Sequence, residues 1–477
     1  MLFTTNIRNM FGLVTAMIAL HGCSYLPTNQ SGSVEPSKGA LTSFVVLGEH
    51  GTPVARVITP RAQCPNINFD GLPVAMDLRA SAETLPLRAT RSDPIDSKPS
   101  AFPVLTCEKT IPLHTISAKV EGQALPLPKS EINKIVVIGD TGCRLKKSDN
   151  AYQACNDAAQ YPFAKIAVTA ANWKPDLVVH VGDYHYRENA CPDGNVGCKD
   201  SSWGYGWQAW RDDFFEPAGA LLKAAPWVVV RGNHESCKRA GQGWWRFIDP
   251  RPLLPSRDCN DAKNDNIGDY SDPYAVPIGG DAQFIVMDTS NTAGEPIPES
   301  DIRAAKYRDL YVKVDALSQQ AGYNIGINHH PILGFTAHQD KKGNVSILPG
   351  NQGLQSVFSG MNPLILPPHI NALLSGHVHL WQEVSFSSPH PTQFIAGFSG
   401  TMEDTIPLPT ELPKDATPAP GAVVEHVSSW INGFGFMTME RTGDQSWEVN
   451  VWDVAGNKVN TCSIEGKKSV CKVSRVN

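Results

Sequence analysis

The pattern of apolar and polar positions changes near residue 130 of the chain. Before that point the apolar runs are short, rich in β-branched residues and separated by clusters of Pro, Asp and Gly, a pattern typical of strands. The runs cover residues 43–47, 54–58, 72–78, 104–107 and 116–120. We therefore predict a small N-terminal domain, resembling a β-sandwich, over residues 41–128.

From residue 134 onward, strand-length apolar runs alternate with helix-length segments. Such alternation is the signature of an α/β domain, in which helices pack against a sheet. The predicted strands cover residues 134–139, 176–182, 227–231, 283–288, 323–328 and 370–375, and the predicted helices cover 158–172, 207–223 and 300–320. We predict one α/β catalytic domain over residues 129–477.

Short alternating strands return near the end of the chain, at residues 393–398, 433–440 and 447–451. They predict that the domain closes with antiparallel sheet. Five prolines fall within residues 402–424, so this segment cannot form a regular ladder. It is either a rim or lid over a site or an ordinary surface loop.

Length and charge limit the classes of protein to consider. A chain of 477 residues with 41% hydrophobic residues is long enough for two domains with sizeable cores. Its 47 acidic and 41 basic residues give a net charge of −6, with no long run of one sign. Nucleic acid is therefore not expected as a structural partner.

The first 23 residues have the features of an export signal. One basic residue, Arg8, precedes an apolar run over residues 10–20, which is too short to span a bilayer. The run ends at His21-Gly22-Cys23, which resembles a bacterial lipobox, and a polar tether over residues 24–40 follows. We predict an exported bacterial protein, periplasmic or anchored to the outer membrane only by a lipid at Cys23. A cleaved signal that releases a secreted, soluble protein is the alternative.

Cysteine usage agrees with export. Eleven cysteines minus a lipidated Cys23 leave an even number, which suits an oxidising compartment. A structural zinc site is the alternative, but no two cysteines form a C-x2-C pair. Neighbours in sequence suggest five disulfides, although sequence does not prove connectivity: Cys64 with Cys107, Cys143 with Cys155, Cys191 with Cys198, Cys237 with Cys259, and Cys462 with Cys471.

Several predicted strands of the α/β domain end in glycine followed by a polar residue that can bind metal. Three strands end in Gly139-Asp140, Gly182-Asp183 and Gly232-Asn233, and two later ones end in His329 and in Gly376-His377-Val378-His379. Ligands bind at the carboxyl ends of strands in α/β sheets, and glycine allows the backbone to turn tightly there. These side chains are expected to meet at one edge.

The ordered set of motifs resembles the calcineurin-like metallophosphoesterases, and within them the purple acid phosphatase branch. The resemblance spans about residues 134–400 and implies a four-layer α/β/β/α sandwich. The matching motifs are Asp140-Thr141-Gly142, Gly182 to Tyr186, Gly232-Asn233-His234-Glu235, His329 before His330-Pro331, and Gly376 to His379.

The resemblance also implies a pair of metal ions. Gly142 stands where the general family has a histidine, and Tyr186 supplies the missing ligand; a phenolate is a hard donor that suits Fe³⁺. By resemblance, Asp140, Tyr186, His379 and the bridging Asp183 hold the ferric ion. Asn233, His329, His377 and Asp183 hold a divalent ion, Zn, Mn or Fe. His185 is the alternative to Tyr186.

Such a centre predicts a hydrolase of small phosphate monoesters. Two carboxylates and one phenolate leave net positive charge on the two ions, which attracts a phosphate and lowers the pKa of a bridging water. The hydroxide formed would attack the phosphorus atom. His234 is the predicted general acid for the leaving oxygen, and His338 the predicted contact to the phosphate or leaving group. The alternatives are a phosphodiesterase at the same site and an anchored binding protein with an inactive metal site.

Other conspicuous residues receive structural interpretations. Arg144, Arg187 and Arg231 lie near predicted ligands but are expected to be ion-paired or at the surface. His330 is expected to face away from the site and pack or bond backbone. The tryptophans of residues 203–210 and 244–245 are expected to pack in the core.

Overall fold

The structure is a computed structural model that describes residues 41–409, 412–413, 415–431 and 433–473. The predicted signal, Cys23 and the tether lie outside the described residues. The strands up to residue 229 are β1 (Thr42–Leu47), β2 (Pro53–Thr59), β3 (Asn66–Phe69), β4 (Leu72–Ala75), β5 (Asp77–Ala80), β6 (Glu83–Leu85), β7 (Ser100–Phe102), β8 (Leu105–Thr110), β9 (Ala118–Val120), β10 (Gln123–Ala124), β11 (Lys134–Ile138), β12 (Leu145–Lys146), β13 (Ala151–Tyr152), β14 (Leu177–His180) and β15 (Trp227–Val229).

The strands after residue 229 build the whole of the second large sheet and one end of the first. They are β16 (Tyr274–Gly279), β17 (Ala282–Val286), β18 (Tyr323–Ile327), β19 (Thr336–Gln339), β20 (Val345–Leu348), β21 (Ile370–Ser375), β22 (Trp381–Phe386), β23 (Thr392–Ala396), β24 (Val424–Trp430), β25 (Gly435–Gly443), β26 (Ser446–Asp453), β27 (Lys458–Glu465) and β28 (Lys468–Val473).

Two large sheets form the centre of the fold. The first has eleven strands in the order β28-β27-β26-β25-β11-β14-β15-β1-β2-β8-β5, and the second has seven in the order β16-β17-β18-β21-β23-β22-β24. Strands β11, β14 and β15 are parallel neighbours, as are β18 and β21, and the strands from β25 onward are antiparallel. The antiparallel closure predicted from the sequence is confirmed.

Alternating side chains divide the core into layers. In β11, Ile135 and Val137 belong to the core cluster shared by both large sheets, whereas Val136 and Ile138 belong to a second cluster with helix residues. A third cluster packs the other face of the second sheet against helices. Because successive residues of a strand face opposite sides, one strand serves two layers. The predicted four-layer α/β/β/α arrangement is confirmed.

The helices flank these sheets. The α-helices are α1 (Phe163–Asn172), α2 (Trp207–Trp210), α3 (Gly219–Ala224), α4 (Gly241–Gly243), α5 (Asp265–Gly268), α6 (Ile302–Ser318) and α7 (Gln352–Phe358). The π-helical segments are Arg211–Phe215 and Trp244–Ile248, and the 3-10 turns are Glu49–Gly51, Pro94–Asp96, Lys147–Asp149, Asn233–Glu235 and Ala262–Asn264. The helix predicted over 207–223 is divided near Pro217, because proline has no N–H to continue the ladder.

The N-terminal segment is β-rich, as predicted, but much of it belongs to the first large sheet. Strand β1 pairs in parallel with β15, and β2, β8 and β5 extend that sheet outward. The described residues belong to one compact unit. The domain boundary at residue 128 stays a prediction, and strands from both sides of it share the first large sheet. Main-chain hydrogen bonds across the boundary explain this, since strand pairing is not visible in a local pattern.

Five disulfides link the cysteine pairs suggested by the sequence: Cys64–Cys107, Cys143–Cys155, Cys191–Cys198, Cys237–Cys259 and Cys462–Cys471. Two of them follow predicted ligand motifs, at Cys143 and at Cys191. In the described part of the chain, no helix has the length and hydropathy needed to cross a bilayer.

Candidate metal centre

Seven predicted ligands converge where the two large sheets present the carboxyl ends of their parallel strands. Asp140, Asp183 and Asn233 follow β11, β14 and β15 of the first sheet, and His329 and His377 follow β18 and β21 of the second. Asp140, Asp183 and His377 have positive φ angles of 54°, 59° and 70°. Non-glycine residues rarely adopt this left-handed conformation, and it is typical of functional sites.

One group of ligand atoms surrounds the hydroxyl of Tyr186. The Tyr186 Oη atom lies 2.8 Å from Asp140 Oδ1, 2.9 Å from Asp183 Oδ2 and 2.9 Å from His379 Nε2, and its single proton can be donated to one of the carboxylates. All four side chains are buried. These are the residues predicted to hold the ferric ion.

A second group of ligand atoms surrounds the amide oxygen of Asn233. The Asn233 Oδ1 atom lies 3.1 Å from His329 Nε2 and 3.0 Å from His377 Nδ1. The same His329 Nε2 atom is 3.1 Å from Asp183 Oδ2. Asp183 thus borders both groups, as a bridging carboxylate would.

The chemistry of the donor set fits bound cations. Although burial alone lowers it, the carboxylate of Asp183 raises the pKa of His329 to about 9. Burial, and then the charges of Asp140 and Asp183, raise the pKa of Tyr186 far above its usual value. Protonation of His329 and Tyr186 therefore offsets the negative charge of the buried carboxylates. Cations would replace these protons, as in metal sites in which binding releases protons.

Two ligand histidines are held in one tautomer by backbone carbonyls. The Nδ1 atom of His329 lies 2.9 Å from Val181 O, and the Nδ1 atom of His379 lies 2.7 Å from Met402 O. With Nδ1–H donated to a carbonyl, the Nε2 atom faces the cluster and can bind a metal ion once it gives up its proton, which is the arrangement of metal-binding histidines. Met402 begins the proline-rich segment, so the start of that segment supports the site.

Glycine is required next to two of these ligands. A Cβ atom on Gly232 would lie 2.0 Å from Asp183 Oδ1, and one on Gly182 would lie 2.5 Å from His329 Nδ1. Gly182 also has a φ angle of 102°, which side chains disfavour. Glycine precedes these predicted ligands because neighbouring side chains approach the backbone closely, as well as because the chain turns there.

The glutamate of the Gly-Asn-His-Glu motif organises the backbone of the site. Glu235 accepts hydrogen bonds from the N–H groups of Asp183 at 3.1 Å, Tyr184 at 2.9 Å, His185 at 3.2 Å and Gly232 at 3.1 Å. Burial, followed by the charge of Asp183, raises the pKa of Glu235. The glutamate ties the loop after β14 to the loop after β15.

Asp213, which the sequence analysis did not single out, has a similar role on the other side of Tyr186. It accepts the N–H groups of Cys143 at 2.9 Å, Tyr186 at 2.7 Å and Arg187 at 3.0 Å, and it is completely buried. Its position in the π-helical segment Arg211–Phe215 gives no motif that would reveal it. Asp213 joins the loop of Asp140 to the loop of Tyr186.

We expect Asp213→Asn to weaken metal binding by about 10- to 100-fold, the range seen when the groups that orient ligands are removed. An amide offers one acceptor oxygen and would lose the ion pair with Arg187, whose Nε lies 2.6 Å from Asp213. Titration of the metal-free protein with Zn²⁺ measures the change. Asp212→Asn is the matched control, because Asp212 pairs with the neighbouring Arg211. Equal affinities for the two variants would contradict this role.

His234, the predicted general acid, lies beside the first group. Its ring centroid is 3.8 Å from that of Tyr186, and its Nε2 atom is 3.9 Å from Asp183 Oδ2. The Nδ1 atom is 2.8 Å from Glu188 Oε1, and Glu188 also forms a buried ion pair with Arg239. Glu188 and Arg239 were not singled out in the sequence. They fix the orientation of the His234 ring.

The remaining predicted histidines lie in different places. His338 is exposed on the hairpin of β19 and β20, and no contact of its side chain to the seven residues is seen in the described chain. Its contact with substrate stays a prediction. His185 points away from the cluster, with Nε2 2.9 Å from Gly204 O, so it does not replace Tyr186.

His330 is closer to the cluster than expected. Its Nδ1 atom is 3.3 Å from Thr289 Oγ1, but its ring centroid is only 4.3 Å from that of His377. Ring nitrogens of His329, His330 and His377 lie within 4.8 Å of one another, close enough to bind one metal ion. The interpretation that His330 faces away from the site is therefore wrong, because the chain bends at His329 and His330 instead of continuing as an extended strand.

The structural interpretation of the arginines is confirmed; that of the tryptophans holds for Trp210, Trp244 and Trp245 and in part for Trp207, but not for the half-buried Trp203. Arg144 pairs with Asp149 and Asp404, Arg187 with Asp213, and Arg231 with Asp288. Trp210, Trp244 and Trp245 are buried in the cluster that covers the outer face of the first sheet.

The two-sheet fold and the cluster at its edge define a metallophosphoesterase. The family model for calcineurin-like phosphoesterases matches residues 133–380, more than half of the chain. The chain belongs to the calcineurin-like phosphoesterase family, whose members use a dinuclear metal centre. No curated protein matches it in sequence.

Solved structures share the fold at low sequence identity. The purple acid phosphatase PPD1 from seeds of yellow lupin (Lupinus luteus) is similar with a TM-score of 0.54 at 12% identity, over 91% of this chain and 74% of that chain. PhoD has a TM-score of 0.49 at 12% identity, over 91% and 92% of the two chains. GAP50, the anchor in the inner membrane complex of Plasmodium, has a TM-score of 0.38 at 14% identity, over 70% and 89%. The likeness to the lupin structure, at this identity, concerns the fold.

Proposed function

We propose that this protein hydrolyses small phosphate monoesters at a centre of two metal ions, one ferric and one divalent. The observation that carries the proposal is the position of Asp183, whose Oδ2 atom is 2.9 Å from Tyr186 Oη and 3.1 Å from His329 Nε2. One carboxylate between two groups of donors is the arrangement that a pair of ions requires. When bound, the ions would polarise the phosphoryl oxygens and activate water.

The protein's own residues would then orient and protonate the substrate. The Glu235 carboxylate holds the loops after β14 and β15 at fixed separation, so the two groups of ligands keep their spacing. The Nε2 atom of His234 lies within reach of the same edge, beside Tyr186 and Asp183. Its proton would pass to the leaving alcohol oxygen while Glu188 holds the opposite ring nitrogen.

The experiment is release of phosphate from p-nitrophenyl phosphate by protein reconstituted with iron and with zinc or manganese. We expect turnover that a chelator removes and that the metals restore. Bis(p-nitrophenyl) phosphate, assayed in parallel, distinguishes a monoesterase from a diesterase. A metal-loaded protein that releases nitrophenol from neither substrate would favour the alternative of a binding protein.

Replacement of Tyr186 tests the identity of the first ion. We expect iron-loaded protein to show a visible charge-transfer band from phenolate to Fe³⁺, and Tyr186→Phe to lose it, because the hydroxyl is the donor atom. Tyr184→Phe is the matched control: Tyr184 is also buried, and its hydroxyl has no hydrogen-bond partner in the described chain. A band that survives in Tyr186→Phe would require another ligand.

Export is part of the proposal. Disulfides persist in oxidising compartments, and five are formed here, at sites that include the loops after Asp140 and Tyr186. We propose a periplasmic or lipid-anchored protein. Fractionation of cells that express the chain, compared with a Cys23→Ser variant, tests the anchor.

A further inference from the structure

A cavity of about 340 Å³ opens beside the second group of ligands. His377 contributes to its wall and also lies 3.0 Å from Asn233 Oδ1. The opposite walls come from the turn after His330 and from the hairpin, in which Thr336 pairs with Leu348. The side chain of His377 is therefore common to the cavity and the candidate metal centre.

The wall of the cavity combines polar side chains, among them Thr336, Asn351 and Gln352, with a somewhat larger apolar surface, and none of the described residues that line it is lysine or arginine. Its apolar residues include Pro331, Phe335, Leu348, Pro349 and Val378. The one carboxylate in the wall belongs to Glu295. A second phosphate would find no counter-charge here and would meet a negative one, whereas an apolar group would be removed from water.

The size of the cavity and its place next to the ligands indicate what enters it. Pockets of about 300 Å³ and more enclose small organic ligands. The phosphoryl group itself is attracted to the cations, so the part of the substrate that extends past His377 is its organic substituent. An aromatic ring or a short alkyl chain has a suitable size and polarity.

We propose that this cavity binds an uncharged, apolar substituent of the phosphate ester, and that the protein therefore prefers aryl or alkyl phosphates to compounds with further phosphates. The inference rests on the proposed function, since it requires phosphate to bind at the centre. It assigns specificity to the hairpin formed by β19 and β20 and to the turn at Pro331.

Calorimetry on the metal-loaded protein tests the assignment by binding alone. Phenylphosphonate, methylphosphonate and pyrophosphate are suitable probes, because the phosphonates cannot be hydrolysed as esters. Burial of a phenyl ring lowers Kd by at least about tenfold. We expect phenylphosphonate to bind at least about tenfold more tightly than methylphosphonate. Pyrophosphate should not show this tenfold gain over methylphosphonate.

Two variants locate the effect. Gly294 lines the cavity, and a Cβ atom there would have no atom within 4 Å, so Gly294→Leu should fill the cavity without strain. The variant should bind phenylphosphonate no more tightly than methylphosphonate, because the phenyl ring can no longer be buried in the cavity. Its Kd for methylphosphonate should stay within about twofold of the wild-type value. Gly219→Leu is the control, at a glycine with equally open space on α3. Leu348→Lys should lower the Kd for pyrophosphate, because it places a positive charge in the cavity wall. Val345→Lys, on the same strand but outside the wall, should leave that Kd unchanged.

The outcomes separate this inference from the proposed function. Equal Kd values for the two phosphonates in the wild type, or an unchanged ratio in Gly294→Leu, would overturn the cavity assignment even if the protein hydrolyses p-nitrophenyl phosphate. The expected ratios in a protein that hydrolyses no ester would support the cavity and overturn the proposed function.

Discussion

Replacing Asp183 with asparagine is expected to remove hydrolysis and most of the bound metal together. Asp183 Oδ2 is the atom that borders both groups of donors, and its other oxygen accepts the N–H of His234 at 2.8 Å. An amide would keep that hydrogen bond by its oxygen but would present a neutral group to two cations. We expect kcat to fall by about 10³-fold or more, as for other essential groups.

Metal content and thermal stability check this result. Elemental analysis should give close to two ions per wild-type chain and fewer than one in Asp183→Asn. Because a ligand that binds only the folded state stabilises it, metal should raise the Tm of the wild type by several degrees and leave that of the variant nearly unchanged. Asp193→Asn, at an exposed aspartate in the loop after Tyr186, is the control. Two tightly bound ions in Asp183→Asn would rule out a bridging carboxylate.

His234→Ala is expected to lose turnover while both ions are retained. His234 is not among the atoms of the two donor groups, and its Nε2 atom lies 3.9 Å from Asp183 Oδ2. General acid catalysis contributes about 10²- to 10⁴-fold, and most when the leaving group is poor. We expect kcat for phenyl phosphate to fall within that range, and kcat for p-nitrophenyl phosphate, which has a better leaving group, to fall much less.

The two substrates act as internal controls for each other. Loss of metal or of folding would lower both rates by the same factor, whereas loss of an acid changes their ratio. Glu188→Gln should shift the ratio in the same direction to a smaller extent, because Glu188 holds the ring nitrogen of His234 and does not itself donate the proton. An equal fall with both substrates would assign His234 to substrate binding instead of proton donation.

Much of the candidate site was visible in the sequence because each motif is local. A strand that ends in glycine and a polar residue predicts a ligand at a sheet edge, and the seven ligands named from such motifs do lie together. Asp213 and Arg239 could not be found in this way, since they follow no motif and contact groups far away in the chain, the N–H of Cys143 and the carboxylate of Glu188. The cavity beside His377 is likewise formed by separate segments.

The sequence by itself determined the α/β pattern and the order of the strands that carry predicted ligands, and it suggested the pairs of cysteines, because alternation, turns and spacing are properties of neighbouring residues. Only the tertiary structure decided that β1 pairs with β15 and that His330 turns toward His377. Strand pairing and side-chain direction after a bend depend on contacts between distant segments. A local sequence pattern does not reveal the energies of those contacts.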